Sequence, residues 1–132
     1  MAVTKLKPAF EDERGSIWDL LTDEEIHHVG FLISKKNSIR GKHYHKEQTQ
    51  YTIVLNGTLK IITKNLLDPT STIEEHILHE MDMIVFPPFC YHSLESSEDS
   101  KCMVLTSKGR GGEDYEKDTI RVNDLQNYVL PS

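Results

Sequence analysis

At 132 residues the chain fits a single domain spanning 1–132, whose folding buries roughly two-thirds of the surface that the unfolded chain exposes. Its 37% hydrophobic and 27% charged content excludes the low-apolar, high-charge signature of disorder. With 15 basic against 21 acidic residues the formal charge is −6, which excludes a general nucleic-acid partner, so any anionic ligand must meet a local basic cluster.

The first residues, Met-Ala-Val-Thr-Lys-Leu-Lys-Pro, lack the apolar run of a secretory signal, and nowhere do about 18 apolar residues follow one another. A cytoplasmic protein with no membrane partner is expected. Residues 19–27 carry a weak helix signal, a Thr22 cap with Glu25 three residues on, good for one turn at most. Short apolar runs broken by turn signals then dominate: Val29-Gly-Phe-Leu-Ile33, Tyr51-Thr-Ile-Val-Leu55, Leu59-Lys-Ile-Ile62, Met83-Ile-Val-Phe86 and Cys102-Met-Val-Leu105. This is an all-β pattern. Asn56-Gly57 between two of these runs is a strong hairpin signal, and predicts that strands 50–56 and 58–65 pair antiparallel. Pro69 marks a loop, residues 71–80 alternate as the next strand, and Pro87-Pro88 ends the strand before it. The tail 113–127 is polar with no clear period, and is expected to form a terminal turn or helix over the barrel. Cys90 and Cys102, without CxxC spacing in a reducing compartment, are expected to be buried thiols.

Strand 50–55 is apolar or weakly polar on both faces: Gln50, Thr52 and Val54 on one, Tyr51, Ile53 and Leu55 on the other. One face lines the interior. The other needs a cover, and a homodimer is expected to supply it.

His43-Tyr44-His45 puts two imidazoles on one face of a strand, with Gln50 five residues on, Gly57 seven further, and His92 after Pro87. This order resembles the cupin motifs G-x5-H-x-H-x3,4-E-x6-G and G-x5-P-x-G-x2-H, with Gln50 for the glutamate and with Met81 and Phe89 for the glycines of the second. The resemblance implies a cupin fold, a double-stranded β-helix or jelly-roll barrel, with His43, His45, Gln50 and His92 lining its interior. Two chemistries fit those groups. Three imidazoles and an amide can hold a divalent metal, as in a dioxygenase, or metal-free histidines can move protons near neutral pH.

Flanking residues separate the two. Ser38-Ile-Arg-Gly-Lys-His-Tyr-His-Lys46 resembles the R-G-x-H-x-H-K motif of the dTDP-4-keto-6-deoxyglucose 3,4-ketoisomerases and, less closely, the R-G-x-H segment of the dTDP-4-dehydrorhamnose 3,5-epimerases. Phe10-Glu-Asp-Glu-Arg-Gly-Ser16 is similar to their F-x-D-x-R-G segment. Phe86-Pro-Pro-Phe-Cys-Tyr-His92 with Ser97-Glu98-Asp99 is similar to their I-P-P-x-x-x-H and S-E-D stretch.

The resemblance implies a nucleotide-sugar partner, by family default a dTDP-sugar, and an isomerase of deoxysugar and polysaccharide (lipopolysaccharide or O-antigen) biosynthesis. It makes His43 the general base next to the C4 ketone, His45 the group that returns a proton, Gln50 a group that orients the substrate or the imidazoles, and His92 a substrate-binding residue. Arg14 and Arg40 become diphosphate clamps, with Lys42 adding charge and Tyr51 a substrate contact. No metal and no cofactor are expected, because neutral Gln50 stands where metal-binding cupins carry an acid. The 3,5-epimerases use a tyrosine acid on a late strand where this chain has Met103-Val-Leu105, which favours the ketoisomerase branch. The tail of the ketoisomerases becomes Lys108-Gly-Arg-Gly-Gly112, so sugar specificity is open.

Overall fold

The computed structural model describes residues 2–109 and 112–131; Arg110 and Gly111, within the glycine-rich stretch 108–112, lie outside the described residues. The alternating runs become the strands β1 (Thr4–Lys5), β2 (Phe10–Asp12), β3 (Gly15–Ile17), β4 (His28–Ser34), β5 (Ile39–His45) and β6 (Gln50–Asn56). They continue as β7 (Leu59–Asn65), β8 (Glu74–Leu78), β9 (Asp82–Phe86), β10 (Cys90–Ser96), β11 (Ser100–Thr106) and β12 (Thr119–Arg121). A short helix, α1 (Gly112–Asp118), precedes β12. Two five-stranded antiparallel sheets, ordered β1-β9-β6-β11-β4 and β12-β5-β10-β7-β8, close over one core, and β2 and β3 form a separate hairpin.

That core is the sum of the inward halves of the alternating strands. Val54, Ile84, Phe86 and Cys102 from one sheet pack on Leu59, Ile61, Leu78, Cys90 and Leu94 from the other. Both cysteines are free, buried thiols. Burial in this core pushes the Cys90 thiol up to about 12 and the Cys102 thiol up to about 11.

Four expectations need correction. Strands β6 and β7 do not pair: β6 lies between β9 and β11, and β7 between β10 and β8. Gly57 alone takes the left-handed conformation (φ 87°), whereas a type I′ turn needs it at Asn56 too. The turn therefore carries the chain from one sheet to the other. It packs so tightly that a Cβ on Gly57 would lie 2.5 Å from the Asp99 carbonyl oxygen. Residues 19–27 form no helix; the carboxylate that reaches back is that of Glu24, which accepts from the Thr22 and Asp23 N–H groups. The tail holds a strand as well as a helix, because β12 adds to the edge of β5, pairing Thr119 with His45 and Arg121 with His43. The strand after Pro69 is β8, shorter than the 71–80 alternation.

The outer faces differ. Over β5 and β10, Tyr44, Tyr91 and Val122 are buried against Phe89, Ile120, Leu125 and Tyr128, with the Tyr44 and Tyr128 hydroxyls 2.8 Å apart. The tail thus covers one sheet. On the other, register aligns Phe31, Met103, Ile53 and Met83 across four strands, and beside them Val29, Leu105, Tyr51 and Val85. At the β4 edge Val29, Phe31 and Ile33 are 58%, 66% and 66% exposed.

Candidate active site

The site grows from β5. Gly41 (φ 86°) and Lys42 (φ 58°) are both left-handed and form an irregularity in the β5–β10 pairing just before His43. A Cβ on Gly41 would lie 2.8 Å from the His92 carbonyl oxygen, so the glycine of the R-G-K-H stretch lets β10 come close enough to set His92 opposite His43. Met81 (φ 66°) and Phe89 (φ 62°), standing where the second motif has glycines, hold the glycine-type backbone conformation despite their side chains. The motif's geometry survives its substitutions. The Phe89 N–H donates to the His45 carbonyl at 2.8 Å and ties the turn before β10 to the end of β5.

From this frame three imidazoles converge. The His43 ring lies 4.8 Å from those of His45 and His92, and His45 lies 5.3 Å from His92. One ring nitrogen from each falls within 4.8 Å of the others. His45 and His92 are buried (2% and 1% exposed) and His43 is half-buried. Phe86 stacks flat on His92 with centroids 4.2 Å apart. Burial, and then the nearby His43 and His45 charges, hold His92 well below the usual imidazole range. Gln50, buried in the same barrel, donates through its amide nitrogen to the Thr52 hydroxyl at 3.1 Å.

Three nitrogen donors suit a divalent transition metal in kind, but their spread of up to 4.8 Å is wider than the roughly 3.4 Å between nitrogens on a tetrahedral metal with bonds of about 2.1 Å, so holding one would require the rings to draw together. Gln50 adds a neutral oxygen and no charge. The same three groups, with nothing added, can accept and donate protons to a ligand in the barrel.

None of the remaining sequence candidates belongs to this cluster. Arg40 is exposed, its guanidinium donating to the Ser34 hydroxyl (2.9 Å) and the Ile33 carbonyl (3.0 Å). Arg14, also exposed, sits in the β2–β3 hairpin paired with Asp12 at 2.7 Å. Lys42 is exposed, and its carbonyl accepts from the Val122 N–H. Tyr51 does not join the cluster: strand alternation puts it opposite Gln50, on the outer face beside Leu105 and Val85. His27, His28, His76 and His79 also lie outside it; His76 bonds the Thr63 hydroxyl at 3.0 Å.

Residues the sequence did not reveal complete the surroundings of His45. Its Nδ1 lies 3.2 Å from the Thr119 hydroxyl and 3.9 Å from the Asp118 carboxylate. That carboxylate accepts the N–H groups of Lys46, Glu47 and Gln48 at 3.1, 2.7 and 3.2 Å, pinning the turn after β5. The Tyr115 ring lies 5.7 Å from the His45 ring. A cavity of about 670 Å³ lined by Lys46, Lys108, Tyr115 and Asp118 adjoins this end of the barrel. No spacing rule finds Asp118 or Thr119, since their role exists only once β12 pairs with β5.

A jelly roll with buried imidazoles on β5 and β10 defines a small cupin. The family described as polysaccharide biosynthesis C-terminal domain matches residues 10–120, and the chain belongs to that family. Among solved structures it is similar to the QdtA 3,4-ketoisomerase of Thermoanaerobacterium thermosaccharolyticum, a double mutant in complex with TDP. The identity there is 28%, over 92% of this chain and 86% of that one, with a TM-score of 0.70. A 3,4-ketoisomerase from Helicobacter canadensis (23% identity, 92% and 90% covered, TM-score 0.74) shares the fold. So does the dTDP-4-dehydrorhamnose 3,5-epimerase of Sulfolobus tokodaii (20%, 93% and 80%, TM-score 0.70). These are the two groups that the sequence motifs resemble. No curated protein matches the chain by sequence.

Proposed function

We propose that this protein is an isomerase of a nucleotide-linked 4-keto-6-deoxy sugar that moves the ketone between C4 and C3, in deoxysugar and O-antigen-type polysaccharide biosynthesis in the cytoplasm. The observation that carries this is the convergence of His43, His45 and His92 inside the barrel, with His43 and His45 following an R-G-K-H-x-H stretch, in a chain 28% identical to a ketoisomerase crystallised with TDP. The C4 carbonyl acidifies the C3 hydrogen; His43 removes it, and reprotonation at C4 completes the shift. His45 returns a proton on the same sugar face, and Gln50 and His92 orient the substrate. Arg14 and Arg40 grip the diphosphate, a dTDP group by family default, with Lys42 adding charge. Arg14 is held by Asp12, so the diphosphate must share or displace that carboxylate. Tyr51, on the outer face of the sheet between Leu105 and Val85, belongs to the face that a second copy covers rather than to the barrel site. That face, apolar from Val29 through Leu105 to Val85, is covered by a second copy in a homodimer of about twice 15.2 kDa.

The test is incubation with a dTDP-4-keto-6-deoxyhexose in D2O, read by NMR. A ketone moved to C3 with deuterium at C4 marks the ketoisomerase; deuterium at C3 or C5 with the ketone still at C4 marks an epimerase. His43→Asn should lower turnover about 10³-fold while TDP still binds. Failure of every such sugar to exchange a proton refutes the reading. A metal-dependent dioxygenase uses the same three imidazoles, and one tightly held metal per chain, with oxygen-dependent turnover that chelation abolishes, would favour it.

A further inference from the structure

We propose that the C-terminal segment and the start of β10 preset the proton arrangement of the cluster: Thr119 holds His45, and the Cys90 carbonyl holds His92, as Nδ1–H tautomers, so both meet the substrate as proton acceptors through Nε2. Thr119 is then a positioning residue acting through His45.

The argument is one of donor counting. The Thr119 hydroxyl has a single proton, and it lies 2.7 Å from the Tyr115 carbonyl oxygen, which can only accept. With that proton committed, the 3.2 Å contact to His45 Nδ1 needs its proton from the ring. The Asp118 carboxylate, 3.9 Å from the same nitrogen, favours a proton there. The 3.0 Å contact of His92 Nδ1 with the Cys90 carbonyl forces the same choice, since a carbonyl has no proton to give. A neutral imidazole carries one proton, so in each ring Nε2 keeps the lone pair. The His92 Nε2 is buried with no hydrogen-bond partner among the described residues, as expected of an acceptor awaiting a ligand's donor. Outer partners that fix an imidazole tautomer recur wherever the inner nitrogen does the chemistry.

The consequence rests on the ketoisomerase reading. Interconverting C3–OH, C4=O with C3=O, C4–OH moves two protons: one from C3 to C4 and one from O3 to O4. His43 takes the carbon proton. An imidazole that starts with a lone pair at Nε2 accepts the 3-hydroxyl proton and gives it to O4, whereas one that starts protonated at Nε2 cannot. Any proton His45 delivers is therefore one it has first received.

The test is long-range proton–nitrogen NMR of ¹⁵N-histidine-labelled protein without substrate. His45 and His92 should each show a protonated, pyrrole-type Nδ1 and a pyridine-type Nε2. In Thr119→Val the His45 pattern should become mixed or reversed, with kcat lowered about 10- to 100-fold, the range for loss of such outer partners, and KM within about twofold. Thr119→Ser should restore both. A pyridine-type Nδ1 on His45 in the unaltered protein, or a Thr119→Val variant with unchanged tautomer and turnover, overturns the proposal; if Thr119→Val does not fold, the unaltered protein's spectrum decides alone. The spectrum needs no turnover, so the expected tautomers in a protein that isomerises no sugar nucleotide would sink the assigned reaction and leave this inference standing.

Discussion

Asp118 offers the sharpest test of how the tail supports the site. Its carboxylate accepts three consecutive backbone N–H groups, but the loss in Asp118→Ala is less than three full bonds. The Lys46 N–H also donates to the Asp118 main-chain carbonyl at 3.0 Å, which alanine keeps. The Glu47 bond (2.7 Å) is charge-assisted, at about 1.5–3 kcal/mol net, with water able to take part of it over at this exposed residue. Gln48 is buried, so its N–H is left unpaired at about 1–3 kcal/mol. The sum is a destabilisation of about 3–5 kcal/mol, at the high end for one substitution. Asp114→Ala, on the same helix and exposed, should stay within about 0.5 kcal/mol of the unaltered protein. Urea unfolding at neutral pH measures both. An Asp118→Ala protein within about 0.5 kcal/mol of wild type, or equal to Asp114→Ala, would show that the carboxylate does not hold the turn.

Gly41→Ala meets a left-handed backbone, worth about 1–2 kcal/mol, and a Cβ 2.8 Å from the His92 carbonyl; a loss of about 3 kcal/mol by thermal unfolding is expected, and a loss under about 1 kcal/mol would refute the close approach. The lowered His92 pKa has a definite sign: above the unfolded value of 6.5 the ring is neutral in both states, and below it only the unfolded chain takes the proton. Stability should therefore fall by up to about 1.4 kcal/mol per pH unit as pH drops from about 6.5, a slope that His92→Gln reduces; equal slopes in the two proteins would count against it. Buried and pushed to about 12 and about 11, the Cys90 and Cys102 thiols should ignore a thiol reagent at about pH 8 until the protein unfolds, when both react; a fast-reacting thiol in the folded protein would contradict their burial.

The sequence by itself determined the strands and the inner half of the site. Alternation at period 2 puts His43 and His45 on one face, and Tyr44 on the other, whatever the strand pairs with. The positions aligned with motif glycines, Met81 and Phe89, kept the glycine conformation because the chain reversals that need it are local. Pairing was not local. Asn56-Gly57 reads as a hairpin, yet β6 and β7 lie in different sheets and bury Val54 against Leu59 and Ile61 in the core between them. Only the tertiary structure decided what stands behind His45: Asp118 ends, and Thr119 follows, a polar helix with no apolar period, and they reach the imidazole because β12 fills the open edge of β5. Their roles are set by hydrogen bonds between residues more than 70 positions apart, a separation over which side-chain periodicity along one strand carries no signal.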